Sequence, residues 1–79
     1  MSDFDLKLDA RGLNCPLPIL RARKSIQTLS PGQVLHIIAT DPGSVKDFEA
    51  FCKQTGNELL AATQESGEYR FDIRKGQRV

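Results

Sequence analysis

Seventy-nine residues with a formal net charge of +1 make one small domain, and that charge gives no whole-molecule attraction for nucleic acid or an anionic membrane. The composition, 27% charged and 39% hydrophobic, is that of an ordinary globular chain. No apolar run approaches the roughly 20 residues that cross a bilayer, and the acidic start Met1-Ser2-Asp3-Phe4-Asp5 lacks the basic and apolar regions of a secretory signal. A cytoplasmic protein is therefore expected, with Cys15 and Cys52 kept reduced. His36 is the only histidine, so the about four ligands of a structural zinc site are not at hand.

Phe4, Leu6, Leu8 and Ala10 alternate with Asp5, Lys7 and Asp9, the period of a strand with one buried face. Arg11-Gly12-Leu13-Asn14 breaks the alternation, and Gly12 can take the positive φ of a tight turn. From Pro16 to about Leu29 the spacing is helical. Ile19, Ala22, Ile26 and Leu29 form one stripe with Leu20 at its flank. Proline suits the first helical position, which would make Cys15 the N-cap with its sulfur beside the positive end of the helix dipole. Pro18 removes a second donor from the first turn and leaves the N–H of Leu17 as the nearest one able to face the sulfur. On this reading the Cys15 pKa is lowered and its nucleophilicity at neutral pH is raised. The plainer reading is a helix start that happens to hold a cysteine, which is not a favoured N-cap. At roughly 100° per residue Leu17 points about 160° away from Ile19, onto the side that carries Arg21, Lys24 and Thr28. That side suits docking to an apolar patch with acidic surroundings; the alternative is a solvated face with one stray leucine.

Ser30-Pro31-Gly32 is a turn by composition, and Val34-Leu35-His36-Ile37-Ile38-Ala39 reads as a central strand. Strand, helix and strand within this length make a right-handed βαβ unit with parallel strands. His36 lies inside the strand pattern and is read as a satisfied structural histidine or an exposed one, not as a base for Cys15. Thr40-Asp41-Pro42-Gly43-Ser44 opens a second helix, with Ser44 and Asp47 approximating a capping box. Val45, Phe48, Cys52 and Thr55 share one side of it, with Phe51 next to them, so Cys52 is assigned to the core, and Gly56 ends the helix. Glu58 to Gln64 reads as a strand, Ser66-Gly67 as a hairpin turn, and Tyr69, Phe71 and Ile73 as the buried face of the last strand. A basic tail follows, Arg74-Lys75-Gly76-Gln77-Arg78-Val79. The expected architecture is α+β: a two-layer sandwich of order βαβαββ, with a four-stranded mixed sheet and both helices packed on one face.

The segments Leu8-Asp9-Ala10-Arg11-Gly12-Leu13-Asn14-Cys15-Pro16-Leu17-Pro18, Ala39-Thr40-Asp41-Pro42-Gly43-Ser44, Phe51-Cys52 and Tyr69-Arg70-Phe71-Asp72-Ile73-Arg74-Lys75 resemble the TusA (SirA-like) sulfur-carrier family. The resemblance covers nearly the whole of residues 1–79 and implies a single sulfur-carrier domain of the fold read above. It implies a sulfurtransferase in which Cys15 takes sulfane sulfur from a cysteine desulfurase or a rhodanese-type donor. The sulfur is held as a persulfide and passed to an acceptor protein. Downstream uses in the family include tRNA thiolation, sulfur oxidation and molybdenum cofactor supply. Members serving tRNA thiolation often carry glutamate where this chain has Leu17. Sulfur transfer needs one accessible thiolate and no cofactor or metal. The implied site is Cys15 as the catalytic residue, with Gly12, Pro16, Leu17, Pro18, Arg21 and Lys24 forming the helix start and the docking face of a monomer. The competing reading is a non-enzymatic thiol-based regulatory or interaction module. Direct RNA binding through Arg70, Arg74, Lys75 and Arg78 is not expected, because the chain as a whole is nearly neutral.

Overall fold

The computed structural model describes residues 4–76; Met1 to Asp3 and the tail residues Gln77, Arg78 and Val79 lie outside it. The alternating segment forms strand β1 (Leu6–Ala10), followed by helix α1 (Leu17–Gln27) and strand β2 (Val34–Ala39). Helix α2 (Ser44–Thr55) and the hairpin β3 (Glu58–Glu65) and β4 (Glu68–Arg74) complete the order βαβαββ. The hairpin closes through Ser66 and Gly67, both at positive φ (53° and 78°), the pairing of signs that matches the strand twist.

The sheet order is β1-β2-β4-β3. β1 and β2 are parallel, Leu6 opposite Leu35 and Ala10 opposite Ala39, while β4 runs antiparallel to both β2 and β3. The last strand is thus inserted between β2 and β3, which leaves β1 and β3 as edges. α1 packs on β1 and β2, α2 packs on β3 and β4, and the helices touch each other on the same side of the sheet.

One apolar layer between helices and sheet holds these elements together. Phe48, Phe71, Leu35, Ile37 and Ile73 are fully buried there, each side chain contributing roughly 1.5–3 kcal/mol through removal from water. The Phe48 ring lies 4.7 Å from that of Phe71 and meets Phe51 edge-on at 6.4 Å. Cys52 is in this layer, 5% exposed, as its place on the apolar stripe predicts. His36 faces the open side of the sheet, where Phe4 stacks on it and its Nδ1 lies 2.6 Å from Asp72 Oδ1, the structural role expected of it.

Two details of the helices differ from the sequence reading. α1 begins one residue later than expected, with Pro16 as its cap, and its deeply buried positions are Pro18, Ala22 and Ile26. The expected stripe is kept, with Ala22, Ile26 and Leu29 buried and Ile19 half-buried against the core; Pro18 joins it, and Leu20, expected at its flank, is 53% exposed. Ser44 is the first residue of α2 and not its cap; Gly43 occupies the cap with no side-chain hydrogen bond, so the expected capping box is not made. At the other end Gly56 takes the left-handed conformation (φ 78°) and donates its N–H to the Cys52 carbonyl, ending α2 where the sequence predicts.

Candidate functional site

The link from β1 to α1 is tied to the link from β2 to α2 by two hydrogen bonds. Gly12, at φ +79°, donates its N–H to Thr40 Oγ1 at 2.9 Å, and Cys15 donates its N–H to Asp41 Oδ2 at 2.9 Å. The other Asp41 oxygen accepts the N–H of Gly43 at 3.2 Å, the local turn that an Asp two residues before a Gly favours. The parallel β1–β2 pairing places both links at the same end of the sheet, which is why residues so far apart in sequence meet there.

Cys15 is exposed, one residue ahead of the α1 cap, and the Cys15–Pro16 peptide is cis. Its sulfur does not face a free helix donor. The N–H of Leu17, expected to do so, is bonded to the Asn14 carbonyl at 2.8 Å. What surrounds the thiol instead is acidic. A cleft of about 200 Å³ between α1 and α2 is lined by Cys15, Pro16, Arg23, Asp47 and Phe51. The carboxylates of Asp41 and Asp47 both lie 3.8 Å from the point where a Cβ on Gly43 would stand, so the two acids close on the same small space.

The thiol pKa is accordingly raised, not lowered as the sequence reading expected. The hydrogen bond to the Asp47 carboxylate is the largest cause, followed by partial desolvation and by the negative charges of Asp47 and Asp41. The one cation in the cleft, Arg23, stands 5.6 Å over the Phe51 ring. Burial pushes the Cys52 thiol up to about 11. Of the two cysteines, only Cys15 is accessible to another protein.

On the other flank of α1 a larger groove of about 690 Å³ runs between the helix and the free edge of β1. Leu17, Arg21 and Lys24 line it, together with Leu6, Leu8 and Leu20. The three residues expected to form a docking face thus share one surface. Gly12 and Pro16 are exposed beside Cys15, but Pro18 is buried in the helix–sheet layer and is withdrawn from any docking face. Asp41 and Asp47 were missed as site residues. Asp41 was legible only as a turn residue and Asp47 only as a cap, because their reach toward Cys15 depends on how two distant links meet.

Three cations of β4 and the segment after it are committed elsewhere. Arg70 pairs with Glu68 at 3.1 Å, Arg74 pairs with Glu58, and Lys75 Nζ donates to the Leu29 carbonyl at 2.6 Å. Among the described residues there is no group of three or more His, Cys, Asp or Glu able to hold a metal ion, and no helix long and apolar enough to cross a membrane.

Residues 6–75 match the family model described as Sulfurtransferase TusA. The chain is 67% identical over 75 residues to the sulfur carrier protein TusA of Allochromatium vinosum, covering 95% of this chain and 99% of that one. It is 46% identical over 71 residues to the sulfur carrier protein TusA of Pseudomonas entomophila, covering 90% and 89%. The crystal structure of a SirA-like protein from Desulfitobacterium hafniense superposes with a TM-score of 0.80 at 23% identity, over 91% of this chain and 99% of that one, and shows the same fold. With the signature cysteine exposed at the junction of the two links and the βαβαββ sheet behind it, the chain belongs to the TusA family of sulfur carriers.

Proposed function

We propose that this protein is a cytoplasmic persulfide relay in which Cys15 accepts sulfane sulfur from a donor protein, a cysteine desulfurase or rhodanese, and passes it to an acceptor protein. The observation that carries the reading is the contrast between the two thiols: Cys15 open to solvent at the edge of the cleft between α1 and α2, Cys52 shut in the core. In loading, the Cys15 thiolate attacks the terminal sulfur of the donor's persulfide. A new S–S bond forms on Cys15, the donor's S–S bond breaks, and the donor cysteine leaves as a thiolate. In unloading the acceptor thiolate attacks the outer sulfur of the Cys15 persulfide; the S–S bond on Cys15 breaks and Cys15 leaves as the thiolate. No net oxidation occurs in either step. Gly12 and Pro16 shape the exposed segment, and Leu17, Arg21 and Lys24 offer the docking surface beside it.

The test is incubation with a cysteine desulfurase and cysteine, followed by mass spectrometry of the intact chain. One added sulfur atom is expected, lost in Cys15→Ser and kept in Cys52→Ser; loading on Cys52 alone would refute the proposal. The acidic surroundings of Cys15 favour a second reading, a thiol-based interaction module that never carries sulfur. That reading gains if the intact chain takes up no sulfur while alkylation of Cys15 leaves every partner interaction in place.

A further inference from the structure

β1 is an edge strand, and its free side lies under the outer flank of α1. The N–H of Asp5 points toward β2, bonded to the Val34 carbonyl at 2.8 Å. In a parallel ladder the donors and acceptors alternate by residue, so those of Leu6 and Leu8 face outward, away from β2. Above this open edge the groove is apolar toward its Cys15 end and cationic further along. Leu17 and Leu20 are 45% and 53% exposed, Leu6 and Leu8 form the floor, and Arg21 and Lys24 follow on the next turns. Among the described residues neither cation has a hydrogen-bond or ion-pair partner. Exposed apolar side chains, an unpaired backbone edge and uncompensated positive charge thus occupy one surface that starts two residues from the reactive cysteine.

We infer that this groove receives an extended segment of a partner protein, which adds as a fifth strand on β1. Every second residue of that segment faces α1, apolar toward the Cys15 end and acidic opposite Arg21 and Lys24. Strand addition supplies main-chain hydrogen bonds, and the alternate side chains supply selectivity. A second copy of this chain fits poorly. Its own β1 presents only Leu6, Leu8 and Ala10 toward the helices, and pairing the two edges would bring the two sets of Arg21 and Lys24 toward each other without any acid between them. The inference deepens the carrier reading, which requires that partners dock beside Cys15, but its test does not depend on sulfur.

The probe is the peptide acetyl-Thr-Glu-Thr-Val-Thr-Val-Thr-Glu-Thr-amide, whose palindromic order presents the same side chains to the groove in either strand direction. It is titrated into the isotopically labelled full chain at low salt and followed by amide NMR and hydrogen exchange. The expected result is shifts at Leu6, Leu8, Leu17 and Leu20, with slowed exchange at the Leu6 and Leu8 amides. Replacing both glutamates of the peptide by lysine should weaken binding at least about tenfold, and the double variant Arg21→Glu with Lys24→Glu should reverse that preference. Absence of binding at millimolar peptide, binding that leaves the Leu6 and Leu8 amides unprotected, or concentration-dependent dimers through β1 would each overturn the inference. If Cys15 loads with sulfur and the peptide fails, only the strand-addition inference falls; if the peptide binds and Cys15 stays empty, only the carrier reading falls.

Discussion

Replacing Asp47 by asparagine removes the negative charge nearest the Cys15 sulfur with little change of shape, and the structure specifies the consequences. The carboxylate holds the thiol pKa up by accepting its hydrogen bond and by its charge, so the variant thiol ionises at lower pH. The rate of attack on a neutral disulfide depends on two opposed quantities. Each unit by which the pKa falls raises the thiolate fraction about tenfold at neutral pH, while the thiolate becomes about threefold less nucleophilic, from a Brønsted slope of roughly 0.4–0.5. The net gain is about threefold per unit at neutral pH, and it becomes an about threefold loss per unit once both thiols are fully ionised. The two pH–rate profiles should therefore cross. The assay is stopped-flow reaction with dithiodipyridine, which carries no charge for Asp47 to repel. Cys52 does not interfere near neutral pH: with its pKa at about 11, roughly one molecule in a thousand is thiolate at pH 8, and at the alkaline end its reaction is subtracted. Cys15→Ser supplies the background. Parallel profiles, or an Asp47→Asn chain slower than wild type at neutral pH, would refute the idea that Asp47 sets the ionisation of Cys15.

The charge reversal of Arg21 and Lys24 together should slow sulfur transfer from a protein donor, while urea unfolding stays within about 0.5 kcal/mol of wild type, because both side chains are exposed; unchanged transfer would remove this face from the docking reaction. Phe48→Ala should cost about 3–5 kcal/mol in urea denaturation, a quarter or more of a total on the order of 4–12 kcal/mol for a chain this long; a loss under about 1 kcal/mol would show that the ring does not anchor the layer between helices and sheet. Alkaline stability carries a signature of Cys52. Its folded pKa is raised above the unfolded value, so its stabilising contribution is complete below about pH 9 and declines as pH rises through about 11. Cys52→Ala should flatten the loss of stability across that window, and an unaltered slope would exclude Cys52 as its source.

The amphipathic periods carried a large part of this molecule openly. The alternation at Leu6, Leu8 and Ala10 and at Tyr69, Phe71 and Ile73 encodes half-buried strands, and the apolar stripe around Phe48 and Cys52 encodes α2 and the burial of its cysteine. Gly12 and Gly56 were legible for the same reason, since each takes a positive φ that a side chain would resist. The start of α1 and the burial of Pro18 were less legible. Pro18 counts as a helix-start residue in sequence, yet its ring is apolar and, four residues before Ala22 and eight before Ile26, it lies on their buried side. Local propensity cannot settle a shift of one residue, whereas packing against the sheet does.

What the chain alone determined, then, was the type and order of its elements and the identity of the one cysteine left in the open, because both follow from local periodicity and from the spacing of turn residues. The insertion of β4 between β2 and β3, the free edge of β1 and the sign of the Cys15 pKa shift were decided only by tertiary structure. They depend on through-space meetings. Asp41 and Asp47 act on Cys15 because a parallel β1–β2 pair delivers two distant links to one end of the sheet; the hydrogen bond to Asp47, desolvation and the two negative charges then raise the thiol pKa, while the nearest N–H of the helix start is already taken.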